Sequence, residues 1–200
     1  MIYIFLIDGG DILIYENEIT VEVNCNLNEL NTILNRENFK VICEYEVKDI
    51  YMIEKNYINF NDKLEMLKHC VLIRNIIDEN DLKILTYKYK EYDDNGDIKK
   101  QGKVSCEIDS IEKMEEILKM VNFDDLIRIE DHVVVYSNGV DELAVEFVND
   151  KHIYIEIEQN NKYLSIDEMK AVFSKYNIPV KGKDFFVKKA LIELKERYGD

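Results

Sequence analysis

The chain has 200 residues, with 46% hydrophobic and 34% charged side chains, a balance that suits one globular domain with a sizeable core and excludes a disordered chain. A net charge of −15 disfavours nucleic acid and anionic membrane as partners, so a polyanionic ligand would need a locally basic pocket or bound metal ions. One Pro and 7 Gly leave few chain breakers, which predicts long elements and short connections.

The first residues, MIYIFLIDGGDILIY, hold a short apolar run with no Lys or Arg ahead of it, so a signal peptide is not expected. Gly9-Gly10 between two β-branched runs predicts an extra hairpin within residues 1–17. From Ile19 to Cys25 the pattern alternates: Val21, Val23 and Cys25 point one way, and Thr20, Glu22, Asn24 and Asn26 the other. A short helix over Asn28 to Asn35 follows, then a long strand from Val41 to Ile53, a helix or turn at Leu64 to Leu67, and a strand from Val71 to Ile76. Leu82 to Tyr92 and Ile98 to Ile108 form a hairpin around the turn residues Asp93-Asp94-Asn95-Gly96. Ser110 N-caps an amphipathic helix reaching Met120. Strands near Leu126 to Tyr136, Glu142 to Asn149 and His152 to Gln159 precede two closing helices, Ser165 to Tyr176 and Asp184 to Tyr198, the first opening on a capping box of Ser165 and Glu168. Runs of adjacent strands with tight turns predict an antiparallel sheet in one α+β domain.

Cys25, Cys43, Cys70 and Cys106 are scattered and never spaced as CxxC, which reads as reduced thiols in a cytoplasmic protein. His69, His132 and His152 have no metal-ligand spacing and read as surface or packing residues. The strands carry a second signal. His152, Tyr154, Glu156 and Glu158 lie opposite Ile153, Ile155 and Ile157; Glu146 lies apart from Leu143, Val145 and Phe147 in sense; Thr86, Lys88 and Lys90 lie opposite Leu85, Tyr87 and Tyr89. Either the charged faces of an open sheet meet water, or the sheet closes and they line its interior.

A series of short motifs then resembles, in order, the CYTH (triphosphate-tunnel) family over about Thr20 to Leu194. Asp49-Ile50-Tyr51-Met52 stands for DxYF, CVLIR ending at Arg74 for ALRIR, and Leu85-Thr86-Tyr87-Lys88 for LTYK. Val121-Asn122-Phe123 stands for LGF, Tyr136 for a strand tyrosine, and Tyr154 to Glu158 (YIEIE) for FVEIE, with Glu146 at a metal-binding Asp position. Ala190-Leu191-Ile192-Glu193-Leu194 corresponds to SYxELL.

The resemblance implies a closed eight-stranded antiparallel β-tunnel with helices packed outside, binding a triphosphate-containing small molecule with Mg²⁺ or Mn²⁺. It implies metal binding by Glu22, Glu107, Glu146, Glu156 and Glu158, phosphate binding by Arg74, Lys88, Lys90 and Lys103, and catalysis resting on Glu156, Glu158 and Lys88. That chemistry needs oxygen ligands for the metal and cations around the transferring phosphoryl group. The chain departs from the pattern mostly on the basic side. ExExK reads Glu22, Asn24 and Asn26; the first Arg of ALRIR is Leu72; the basic pair before Tyr136 reads Asp131 and Val133; the SY pair is Ala190 and Leu191. The HF pair of class IV adenylate cyclases is absent, with Glu16 and Asn17 in its place. A metal-dependent triphosphate phosphohydrolase is the first functional expectation. The alternatives are a class IV adenylate cyclase and a non-catalytic tunnel that binds phosphate.

Overall fold

The computed structural model describes residues 18–78, 80–92, 98–149, 151–158 and 165–199, with backbone only over 89–92 and 98–103. The expected hairpin within 1–17 and the turn at Asp93-Asp94-Asn95-Gly96 lie outside the described residues. The elements in chain order are β1 (Glu18–Glu22), α1 (Leu27–Arg36), β2 (Lys40–Glu54), α2 (Lys63–Lys68), β3 (Cys70–Ile77), β4 (Leu82–Tyr92), β5 (Ile98–Glu107), α3 (Ile111–Met120), β6 (Phe123–Ser137), β7 (Glu142–Val148), β8 (His152–Glu158), α4 (Ile166–Tyr176) and α5 (Lys189–Tyr198). The caps follow local chemistry. Ser110 Oγ accepts from Lys113 N at the start of α3, Ser165 and Glu168 form the capping box of α4, and Asn26 with Glu29 forms a second box on α1. Among the described residues, no helix is long and apolar enough to cross a membrane.

The strands form one antiparallel sheet in the order β1-β8-β7-β6-β2-β3-β4-β5. The expectation of a closed tunnel is corrected here: the terminal strands β1 and β5 do not pair, and the sheet is open. The reason lies in the stretch between α4 and α5. It runs along the free edge of β1 and takes its backbone groups: Thr20 N donates to Phe185 O, Val187 N to Thr20 O, Lys181 N to Glu22 O, and Asn24 N to Pro179 O. An edge already hydrogen-bonded has no groups left for β5. The same stretch explains why α5 starts at Lys189 and not at Asp184. Asp184 Oδ1 accepts from Phe186 N in a turn, and the residues after it extend along β1.

Although open, the sheet is strongly curled. In a flat sheet β1 and β4 would stand six strand spacings apart, about 29 Å. Lys88 Nζ of β4 instead lies 3.9 Å from Glu18 Oε1 of β1, across the mouth of a trough.

The alternating faces sort cleanly. On the convex side Ile19, Val21, Leu143, Val145, Ile155 and Ile157 pack against Leu30 and Leu34 of α1 and Met169, Val172 and Phe173 of α4, and Ile50, Met52 and Ile73 pack against Leu118 of α3. The concave side carries apolar residues at both ends of its strands. At one end Ile53, Cys70, Ile127, Ile129, Val148 and Tyr154 meet Met66 of α2 and Ala190 and Leu194 of α5. At the other Val47, Val133 and Val135 gather with Tyr45, Ile76 and Ala144. Between them runs a polar belt. Leu194 is fully buried, so Leu194→Ala should lower unfolding free energy in urea by about 2–5 kcal/mol, whereas Leu27→Ala at an exposed helix position should change it by less than about 0.5 kcal/mol.

Candidate functional site

Ladder register decides which side chains share the concave face. Residues directly opposite in a ladder point to the same side. Arg74 pairs with Asp49, Val47 with Asp131, Val133 with Glu146, Ala144 with Glu156, Glu156 with Thr20, and Glu158 with Glu18. Thr86 pairs with Ser105, Lys88 with Lys103, Lys90 with Gln101 and Ile84 with Glu107. By register, every residue of the expected site therefore falls on one face. Lys90 and Lys103 are placed there by backbone alone.

The side chains that meet are a smaller set. Glu18, Glu156 and Glu158 bring one carboxylate oxygen each within 4.8 Å of one another. Thr20 Oγ1 donates to Glu156 Oε2 at 3.4 Å, and Lys88 approaches from β4 through Glu18. Burial, then the carboxylates of Glu146 and Glu18, push the Glu156 carboxyl well above its ordinary range, and Lys189 opposes them only in part.

Arg74 is held by Asp49 through two parallel hydrogen bonds of 2.7 Å, Nε to Oδ1 and Nη2 to Oδ2. Burial works against the Arg74 charge, but Asp49 more than offsets it and keeps the guanidinium protonated. Glu146 is likewise engaged: Lys189 Nζ donates to its Oε2 at 2.5 Å and to Asp131 Oδ2 at 3.3 Å. Burial also opposes the Lys189 charge, and Glu146, Asp131 and Glu156 together raise its pKa well above the usual value.

Glu22 lies apart from the carboxylate trio. It accepts from Lys181 Nζ at 2.8 Å and sits 3.1 Å from His152 Nδ1. Glu107 is exposed on β5 and is not part of the trio.

Four residues of the belt were not singled out by their motifs as ligands: Glu18, Asp49, Asp131 and Lys189. Glu18 shares the alternation of Thr20 and Glu22 and was legible in that period. Lys189 comes from a helix, and no strand pattern points to it.

Among the described side chains the belt thus brings six carboxylates, of Glu18, Asp49, Asp131, Glu146, Glu156 and Glu158, together with three cations, Arg74, Lys88 and Lys189. Carboxylates gathered in a half-buried groove suit a divalent cation, and all-oxygen donors suit Mg²⁺ or Mn²⁺. Burial first, and then the neighbouring carboxylates, raise the Glu156 carboxyl, and a cation at the trio would relieve the second of these.

No protein-family model matches the chain, and no curated protein matches it in sequence. Solved structures do match in shape. The PH1819 protein of Pyrococcus horikoshii superposes with a TM-score of 0.67 at 18% identity, over 90% of this chain and 99% of that one. HpAC1 of Hippeastrum, a candidate adenylyl cyclase described as having a dominant triphosphatase activity, superposes at 0.62 with 13% identity, over 92% and 96% of the two chains. A candidate adenylate cyclase of Vibrio parahaemolyticus superposes at 0.61 with 11% identity, over 90% and 98%. At these identities the likeness shows the fold. This chain has the CYTH-type fold, the one its motif order resembled.

Two stability predictions follow from the belt. Asp49→Ala leaves a half-buried guanidinium without its partner and should cost about 3–5 kcal/mol in chemical denaturation. Burial, then the carboxylates of Glu146 and Asp49, raise Asp131 to about 6, against the pull of Lys189. A carboxyl raised on folding favours the folded state fully below its unfolded value and loses that contribution as pH rises through its folded value. Asp131→Asn should therefore gain on wild type between pH 4 and 7, by up to about 3 kcal/mol, in denaturation curves taken across that window.

Proposed function

We propose that the protein is a metal-dependent phosphohydrolase acting on a triphosphate: inorganic tripolyphosphate, or a nucleoside or thiamine triphosphate. The observation that carries this reading is the Glu18, Glu156 and Glu158 trio facing Lys88 across the trough. The trio offers oxygen donors for Mg²⁺ or Mn²⁺, which when bound neutralises phosphate oxygens and polarises the phosphoryl group. Lys88 stands on the opposite wall, where a phosphate held between the two would meet positive charge from both sides. Lys103, its partner in register, adds a second basic position at that wall. Arg74, fixed by Asp49, contributes its field from further along the belt rather than a free fork. The triphosphatase activity described for HpAC1, on the same fold, supports the reaction class.

A second reading has its own observation. Arg74 is already engaged by Asp49, and Lys189 by Glu146 and Asp131, which reduces the positive charge offered to a ligand and suits a protein that binds phosphate without turning it over.

The deciding measurement is orthophosphate release from tripolyphosphate and ATP with Mg²⁺ or Mn²⁺. The wild type should release phosphate, and Glu156→Gln/Glu158→Gln should reduce kcat roughly a hundredfold or more. Lys88→Ala should raise KM roughly tenfold through one lost charge-assisted contact. Release at background level from folded wild type, with phosphate still protecting the fold against heat, would replace the hydrolase by the binder.

A further inference from the structure

A second group of potential ligands lies outside the belt. His152 of β8 and Glu193 and Glu196 of α5 bring one ligand atom each within 4.8 Å of one another. The helix supplies its pair at i and i+3, on one face, and that face packs over the start of β8. We infer that His152, Glu193 and Glu196 form a site for one divalent first-row transition ion, best suited to Zn²⁺, that fastens α5 to the sheet.

The donor set is the first argument. One imidazole nitrogen and two carboxylates are the N/O ligands that Zn²⁺ takes in a three-residue site with a fourth position for water, whereas Mg²⁺ prefers oxygen alone. The orientation of the imidazole is the second. Glu22 Oε1 lies 3.1 Å from Nδ1 and is itself held by Lys181, which places a fixed carboxylate acceptor behind that nitrogen. Nε2 then faces Glu196 Oε1 at 2.9 Å. A carboxylate behind one ring nitrogen, aiming the other at the ion, is the usual support of a metal-bound histidine. Lys151 engages the other oxygen of Glu196, Oε2, and leaves Oε1 turned to His152.

The third argument is independent of the cluster's own hydrogen bonds. Glu193 is only 7% exposed, and while Oε2 accepts from Asn149 Nδ2, Oε1 has no partner. The Tyr154 hydroxyl is fully buried and also without a partner. Its ring lies 5.9 Å from that of His152, and after burial the charges of Glu22 and Glu193 are what raise its pKa. Among the described residues, Glu193 Oε1 is thus a buried carboxylate oxygen without a partner, on a side chain that belongs to the cluster itself. Buried polar atoms in folded proteins are nearly always satisfied, and an ion in the cluster satisfies this one.

Calorimetric titration of the full chain with ZnCl₂, paired with thermal melts in ZnCl₂ and in EDTA, tests the site without any activity readout. One equivalent should bind and raise the melting temperature. His152→Ala and Glu196→Gln should each weaken binding at least tenfold and remove the shift, while Glu156→Gln/Glu158→Gln should keep both. Glu196 is exposed, so its variant folds even where His152→Ala disturbs the Glu22 contact. Absence of Zn²⁺ uptake by the wild type would overturn the site. So would binding unchanged in Glu196→Gln and His152→Ala, as expected of the exposed thiols of Cys43 and Cys106, or binding lost only in the Glu156/Glu158 double variant.

Discussion

The buried ammonium of Lys189 is the group on which the concave face depends. Asp131 and Glu146 are nearly excluded from water on neighbouring strands, with Asp49 and Glu156 on either side. Carboxylates held so close in a poorly solvated groove repel one another and resist ionisation. One lysine reaching in from the first turn of α5 touches two of them and lowers the energy of the whole row. The same reach fixes α5 at its N-terminal end, with Ala190 and Leu194 following onto apolar ground. Charge and packing therefore position this helix together.

This arrangement also reinterprets the departures from the family pattern. Asp131 stands where a basic residue is expected on its strand, and the closing helix lacks its expected SY pair. In three dimensions the two changes meet: the acid on β6 is matched by Lys189, immediately before Ala190 and Leu191. The positive charge has not simply been lost from the groove. In this chain a helix supplies a cation at that place, beside the carboxylates of Asp131 and Glu146.

Much of the fold was legible in the sequence because period-2 alternation persists along the strands and because the caps obey short-range chemistry. Ser110 and Ser165 act within three residues of themselves, so no tertiary information is needed to find them, and the Asn26 cap was missed because Asn26 also fits the alternation of β1. The segment from Asp184 misled for the opposite reason. Phe185, Phe186 and Val187 are apolar, and either a helix or an extended edge would bury them; only pairing with Thr20, far away in sequence, decides between the two. Closure of the tunnel was misjudged through that same segment. The shared face of the candidate site followed from alternation, yet which of its carboxylates meet did not, because Glu146 and Glu22 are claimed by lysines from outside the sheet. His152 read as an ordinary packing residue, since the glutamates beside it belong to a helix some forty positions later in the chain.

The edge strand β1 has a kinetic consequence. Its ladder partner is β8, and its other side is covered by residues just ahead of α5. Both partners come from the last part of the chain. During synthesis β2 to β6 can pair with one another as they emerge, whereas both of these partners of β1 are made only after β7. The carboxylate of Glu18 reaches Glu158 and Lys88 only once that pairing has formed. The Glu18 corner of the candidate site is thus completed by pairing between segments far apart in sequence rather than by neighbouring strands.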